Sequence, residues 1–133
     1  MPRFVILRHE TEKDQPRPAH WDLMMERGSA LMTWALEEFP AAGVTITGER
    51  LLDHRLEYLE YEGPLSDDRG CVSRTASGDY ETLSAGETLS EDAAALSVLM
   101  RGKTVGGSEL FWKAEFKLTD ASNQSWRLSF LAG

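Results

Sequence analysis

The sequence predicts a mainly β fold, a small antiparallel β-barrel of about eight strands with long loops and at most one or two short helices. Apolar and polar residues alternate with period two in many short segments. Turn residues separate these segments at intervals of roughly a dozen residues, without helical periods between them, which is typical of an antiparallel barrel or sandwich. The 133 residues, 41% of them hydrophobic, suffice for one core, so we expect a single domain over residues 1–133.

The expected strands follow one another along the whole chain. They are placed at 3–8, 20–26, 30–36, 44–47, 70–76, 79–84, 95–101, 110–118 and 125–131. The alternation is clearest in the segment 110–118, where Leu110 and Trp112 begin an apolar face. Turns are expected at Arg27-Gly28-Ser29, Ser77-Gly78-Asp79, Gly102-Lys103, Gly106-Gly107 and Asp120-Ala121-Ser122-Asn123. A helical alternative stays open for 31–39, and 88–95 begins like a capped short helix.

Charge and composition exclude several classes of protein. Fourteen Lys and Arg residues against 22 Asp and Glu residues give a formal net charge of -8, which argues against general electrostatic binding along DNA. The single cysteine, Cys71, excludes an internal disulfide framework and a thiolate zinc site, and we expect it to be a small buried residue. No apolar run approaches the roughly 20 residues of a membrane span, and the first residues lack signal-peptide features. We expect a cytoplasmic monomer without membrane contact.

The segment His20-Trp21-Asp22 is the most informative part of the sequence. In a strand, His20 and Asp22 lie on one face while Trp21 lies on the other, with Leu23 and Met25 facing the core. Their Cα atoms are then roughly 6.6 Å apart, so an imidazole nitrogen and a carboxylate oxygen can reach one cation at about 2.0–2.2 Å. The alternative is a hydrogen-bonded histidine beside an exposed carboxylate, since short motifs often occur by chance.

Two further segments contain the remaining histidines. Arg8-His9 ends the first expected strand, and the polar loop 10–19 returns the chain directly to His20, which can bring His9 beside His20. The run from Asp53 to Pro64 is dense in polar and aromatic residues and ends in Gly-Pro, which indicates a functional loop or an irregular strand. The alternative is that its leucines and tyrosines pack in the core while its charged side chains are solvated.

The order of these motifs resembles a known family. Arg8-His9, His20-x-Asp22 and Asp53-His54-x-Leu56-x-Tyr58-x-x-Tyr61-Glu62-Gly63 are similar to the 3'-phosphoesterase domain attached to bacterial DNA ligase D, which also exists as free-standing small proteins. The resemblance covers roughly residues 4–75. It implies a small β-barrel enzyme of DNA repair by non-homologous end joining, which removes a terminal ribonucleoside and then a 3'-phosphate from DNA or RNA ends.

The resemblance also assigns roles to individual residues. It implies one divalent metal, with Mn²⁺ expected and Zn²⁺ an alternative, held by His9, His20 and Asp22. It places His54 and Tyr58 at the scissile phosphate, and it implies local contact with one 3' end and association with a ligase and polymerase repair system. Two imidazoles and one carboxylate leave open positions for water and a phosphate oxygen. Phosphomonoesterase activity is expected over phosphodiesterase activity.

Met24 departs from this pattern, because the family has a phosphate-holding arginine there. Arg55 and Arg69 are the expected phosphate-binding replacements, with Arg17 and Arg50 as alternatives, since each guanidinium offers a bidentate donor fork. Two other functions stay open: a catalytically silent module that binds nucleic-acid ends or protein, and a barrel that binds an apolar ligand. The last of these predicts that the histidines lie far apart.

Overall fold

The computed structural model describes residues 1–11, 17–65, 69–83 and 95–133, which form nine strands and one 3₁₀ turn. The strands are β1 (Arg3–Glu10), β2 (His20–Arg27), β3 (Ala30–Leu36), β4 (Val44–Arg55), β5 (Gly63–Pro64), β6 (Cys71–Thr82), β7 (Ala95–Thr104), β8 (Glu109–Asp120) and β9 (Ser125–Ala132). The 3₁₀ turn spans Leu56–Leu59, directly after β4.

Eight of the strands close into an antiparallel barrel. Their order is β1-β2-β3-β4-β9-β8-β7-β6, and β6 pairs back with β1, so that the ring has no open edge. The two-residue β5 pairs with the beginning of β6 and lies outside the ring. The expected mainly β barrel is therefore confirmed. In the described parts of the chain, no helix has the length and apolarity needed to cross a membrane.

Large aromatic and aliphatic side chains fill the barrel interior. Trp34 is buried there, with its ring centroid 4.8 Å from that of Phe116 and 5.6 Å from that of Trp126, both in edge-to-face contact. The expected alternation in β8 is confirmed, since Leu110, Trp112, Ala114 and Phe116 are buried and the residues between them are exposed. The interior is a packed core.

A second apolar cluster lies on the outside of the barrel wall. The odd-numbered residues of β1 and the even-numbered residues of β2 face away from the interior, because their neighbours fill it. We call this the outer cluster, and it consists of Val5, Leu7, Met24, Leu31, Leu59 and Val72. The chain after β4 covers it through Leu59 of the 3₁₀ turn, and Arg74 Nη2 holds this turn by donating a 2.8 Å hydrogen bond to the Leu59 carbonyl.

Both glycine turns expected in the middle of the chain are wrong. The segment 77–79 lies inside the continuous strand β6, and Gly102-Lys103 lies inside β7. Gly78 and Gly102 face each other across the β6–β7 pair, where a Cβ on Gly78 would overlap the carbonyl oxygen of Arg101. These glycines allow two curved strands to approach closely, which is the other common use of glycine in a strand.

Other differences concern element bounds. The segment expected as a strand at 44–47 extends as β4 to Arg55, so Asp53 and His54 lie on a strand. The helical alternative for 31–39 is wrong, because β3 occupies Ala30–Leu36. The short helix expected at 88–95 falls outside the described residues except for Ala95, which begins β7. Cys71 is exposed, contrary to expectation, and it occupies the first position of β6.

Replacing Gly78 should destabilise the barrel. In Gly78→Ala the new methyl meets backbone rather than a flexible side chain, so we expect a loss of roughly 2 kcal/mol or more in the free energy of unfolding. Gly106→Ala is the control, because its Cβ has only Thr104 Oγ1 at 3.9 Å nearby. Urea unfolding measures both, and equal stability of the two variants would contradict the close approach.

The buried Tyr80 should make the barrel sensitive to alkali. Its side chain is 1% exposed and its hydroxyl donates to the Glu26 carbonyl, while burial raises the pKa of Tyr80 to about 12. The unfolded chain loses this proton near pH 10, so the stability that Tyr80 contributes is complete below pH 10 and falls between pH 10 and 12, by up to roughly 2–3 kcal/mol.

The Tyr80→Phe variant separates this group from others that titrate at high pH. At pH 8 the variant should be less stable than the wild type by about 1 kcal/mol, the usual net value of one hydrogen bond. Urea unfolding at pH 8 and at pH 11.5 should show this deficit shrinking or reversing. A deficit that stays constant would show that Tyr80 does not carry the alkaline sensitivity.

Candidate functional site

The pairing of β1 with β2 places three polar side chains together on the outside of the barrel wall. His9 lies directly opposite His20, and Asp22 lies opposite Leu7, one outward-facing position further along β2. The expected sharing of a face by His20 and Asp22 is therefore observed, with Leu23 and Met25 in the barrel core and Trp21 packed partly buried against it. His9 also lies beside His20, as the loop connection suggested.

The three side chains converge on one point. The rings of His9 and His20 have centroids 4.8 Å apart. Nδ1 of His9 lies 3.4 Å from Oδ2 of Asp22, and Nε2 of His20 lies 3.0 Å from Oδ1. One ligand atom from each residue falls within 4.8 Å of the other two. Histidines far apart, as an apolar-ligand barrel predicts, are not observed.

Backbone carbonyls fix the orientation of both imidazoles. Nε2 of His9 donates to the Arg69 carbonyl at 2.9 Å, and Nδ1 of His20 donates to the Pro18 carbonyl at 2.8 Å. Because a carbonyl oxygen only accepts, these nitrogens carry protons, and in neutral imidazole the other nitrogen has a lone pair. Both lone-pair positions then face Asp22. Carbonyl-anchored imidazoles of this kind are typical of histidines that bind metals.

The Asp22 carboxylate is ionised although it is only 3% exposed. Burial would raise the pKa of Asp22, but the imidazoles of His20 and His9 lower it to about 2. In turn, contact with the Asp22 carboxylate raises the pKa of His9 against the effect of its burial. Oδ1 of Asp22 lies 3.0 Å from Nε2 of His20 but accepts no well-aligned hydrogen bond from the described residues. A buried anionic oxygen without a donor is costly unless a cation or water compensates it.

A cleft of about 210 Å³ opens in front of this cluster. His54 lines it, and Nδ1 of His54 donates to the Leu52 carbonyl at 2.8 Å, which leaves Nε2 for other partners. The guanidinium-bearing residues Arg17 and Arg69 also line the cleft, together with Thr11 and Leu51. The structure thus brings His9, His20, Asp22, His54 and Arg69 into one site.

Tyr58 and Arg55 lie beside this cleft in a neighbouring depression. That depression has a volume of about 110 Å³, and Arg69 lines both cavities. Tyr58 contacts the His54 ring edge-on, with a centroid distance of 5.8 Å. The Arg55 side chain is 82% exposed and lies 3.4 Å from Glu57. Tyr58 is therefore one contact removed from the cluster, and the phosphate-binding role of Arg55 stays a prediction.

The remaining arginine candidate and Met24 point elsewhere. Met24 is buried in the outer cluster, so this strand carries no positive charge next to Asp22. Arg50 has its side chain 8% exposed and lies over the rings of Trp34 and Trp126, on the interior side of the wall. Of the four arginines considered, only Arg17 and Arg69 line the cleft.

A second cavity next to the cluster was not expected from the sequence. It has a volume of about 440 Å³ and shares Arg17 and His20 with the first cleft. Its further lining includes Glu37, Thr47 and Asn123 from three distant parts of the chain. No short-range pattern links these residues, so only strand register could have revealed them.

Comparison with known proteins found no matching family model and no matching curated protein.

Leu59 should stabilise the site by holding the covering segment against the barrel wall. Leu59→Ala removes most of a buried side chain from the outer cluster and should cost about 2 kcal/mol or more. Leu52→Ala is the matched control, because Leu52 is 89% exposed on β4, shortly before the covering segment, and its loss should change stability by less than about 0.5 kcal/mol. Thermal and urea unfolding compare the two; a similar cost for both would contradict this packing.

Proposed function

We propose that this protein is a divalent-metal-dependent phosphoesterase that removes a terminal phosphate from the 3' end of a DNA or RNA strand. The observation that carries the proposal is the convergence of the buried Asp22 carboxylate and two carbonyl-anchored imidazoles. The order of motifs that resembles the ligase D phosphoesterase domain supports the same activity. That resemblance also supports a role in repairing DNA ends beside a ligase and polymerase, in the cytoplasm.

The donor set fits one divalent cation. His9, through Nδ1, His20, through Nε2, and Asp22 would hold it, and three protein ligands leave coordination positions open for catalysis. Mixed nitrogen and oxygen ligation suits Mn²⁺, which the resemblance implies, and also Zn²⁺. When bound, such a metal polarises a phosphate oxygen and lowers the pKa of a coordinated water.

The cleft residues have distinct parts in the proposed reaction. Arg17 and Arg69 bind the non-bridging oxygens of the terminal phosphate. They take the place of the arginine that the resembled family has at the position of Met24. A water molecule attacks phosphorus and loses a proton, the bond between phosphorus and the 3' oxygen breaks, and the 3' oxygen takes up a proton, which gives inorganic phosphate and a 3'-hydroxyl. His54 transfers one of these protons through Nε2, because its Nδ1 is hydrogen-bonded to the Leu52 carbonyl. Tyr58 positions the His54 ring through their edge contact.

Metal content and phosphate release test this proposal together. The purified protein is incubated with a primer bearing a 3'-phosphate, with Mn²⁺, with Zn²⁺ or with chelator, and both bound metal and released phosphate are measured. We expect about one metal per chain and release that requires it. His20→Ala should lower metal affinity by roughly 100-fold or more. His54→Ala should keep the metal and lower kcat by about 10²–10⁴-fold.

The two variants control for each other, because both remove one imidazole from the same cleft. A wild type that binds neither metal contradicts the metal site. A wild type that binds metal and the primer but releases no phosphate supports the alternative of a catalytically silent end-binding module. Equal metal loss in His20→Ala and His54→Ala would contradict the assignment of His54 to proton transfer.

A further inference from the structure

The second cavity lies on the same outer face of the sheet as the metal-ligand cluster. Strand register places one row of residues directly across the wall: Asp22 on β2, Ala35 on β3, Glu49 on β4 and Ser125 on β9. Neighbouring strands are about 4.8 Å apart, so Glu49 lies roughly 10 Å from Asp22 along this row. The small side chain of Ala35 leaves a depression between them.

Arg17 marks the boundary between the two cavities. It lines both of them, and its Nη2 donates to Oε2 of Glu49 at 2.7 Å. The backbone next to Arg17 is held in place, because the carbonyl of the following residue, Pro18, accepts a hydrogen bond from His20. A ligand whose phosphate lies at the cluster must therefore extend past Arg17 into the second cavity or leave the wall.

The second cavity suits an uncharged polar ring system. Pro18, Ala35 and Leu36 provide apolar contact area, while Thr47, Asn123 and Ser125 provide hydroxyl and amide groups. Glu37 and Glu49 provide carboxylates that accept hydrogen bonds from sugar hydroxyls or base amines. A volume of about 440 Å³ is near the small end of ligand pockets, which span roughly 300–1,000 Å³, and is suited to one nucleoside.

The same carboxylates disfavour a second phosphate. The described charged residues that line the cavity are Arg17, Glu37 and Glu49, which sum to a negative charge, and Arg17, which also pairs with Glu49, is assigned to the scissile phosphate. A phosphate following the terminal nucleoside of a strand would meet Glu37 without a compensating cation among these residues. The charge distribution therefore limits recognition to one nucleotide.

We propose that the second cavity binds the single nucleoside that carries the scissile phosphate, and that the recognised unit is one nucleotide rather than a length of strand. This inference rests on the proposed phosphoesterase function for the identity of the ligand. It adds the substrate's binding site, the number of nucleotides recognised, and Arg17 as the residue between phosphate and nucleoside.

Substrate length tests the proposal in the metal-loaded wild type. Thymidine 3'-monophosphate is compared with a 3'-phosphorylated oligonucleotide and with glycerol 2-phosphate. We expect kcat/KM for the mononucleotide to lie within about tenfold of that for the oligonucleotide, and to exceed that for glycerol 2-phosphate by at least about tenfold. A larger preference for the oligonucleotide, or equal rates for mononucleotide and glycerol 2-phosphate, would overturn the inference.

Two tryptophan variants locate the effect in the cavity. Thr47→Trp fills it from an exposed position on β4, whereas Thr45→Trp adds the same ring two residues away on the same face, outside the lining. Thr47→Trp should lower the ratio of mononucleotide to glycerol 2-phosphate kcat/KM by about tenfold, with Thr45→Trp unchanged. Ala35→Leu provides a second filling variant from the floor. Equal ratios in all these proteins would contradict nucleoside binding there.

Direct binding distinguishes failure of this inference from failure of the proposed function. Saturation-transfer NMR measures thymidine binding to protein from which a chelator has removed metal, so it requires neither metal nor turnover. Thymidine signals that weaken in Thr47→Trp but not in Thr45→Trp support the nucleoside site even if no ester is hydrolysed. Phosphate release from the oligonucleotide without thymidine binding, or with binding unaffected by Thr47→Trp, supports the function and overturns this inference.

Discussion

The antiparallel pairing of β1 with β2 determines both faces of the barrel wall at once. Phe4 opposite Met25 contributes to the interior, whereas His9 opposite His20 begins the polar site outside. Because side chains alternate with period two, a slip of one residue would exchange these faces and bury imidazoles in the packed core. The apolar interior thus enforces the register, and the same register brings the imidazoles to Asp22 on the outer face.

The outer cluster explains how a carboxylate can be buried on the outside of a barrel. An uncovered strand face would leave Asp22 hydrated, but the segment after β4 lies over this part of the wall and adds Leu59 to the outer cluster that contains Met24. Covering the wall removes water, which strengthens the electrostatic coupling of Asp22 to both imidazoles and makes burial of its charge costly. The same covering segment therefore provides the apolar packing and the dry environment of the site. A bound cation would offset the energetic cost of burying the Asp22 carboxylate.

Sequence periodicity was enough to predict the barrel and the pairing of His20 with Asp22 on one face, because both depend on neighbours two residues apart. It failed at Gly78, where a turn and a close strand approach require the same residue type. The second cavity could not be predicted, since the row of residues that leads to it runs across four strands. Predicting that row requires the register of every strand pairing along it. An irregularity between Leu31 and Thr33, where β3 meets β4, changes the alignment in a way that local patterns do not encode.

The positive charge of the cleft comes from segments next to the strands rather than from the strands. The wall position beside Asp22 is occupied by Met24, whose apolar side chain is needed to pack beneath the covering segment. Arg17 and Arg69 instead approach the cleft from the chain before β2 and the chain before β6. The backbone next to each is hydrogen-bonded to an imidazole of the cluster: the Pro18 carbonyl to His20, and the Arg69 carbonyl to His9. One hydrogen bond thus orients an imidazole and also places an arginine at the cleft. This coupling allows the strand to keep an apolar residue where charge would weaken the packing, while the cleft keeps two guanidinium groups suited to an anion.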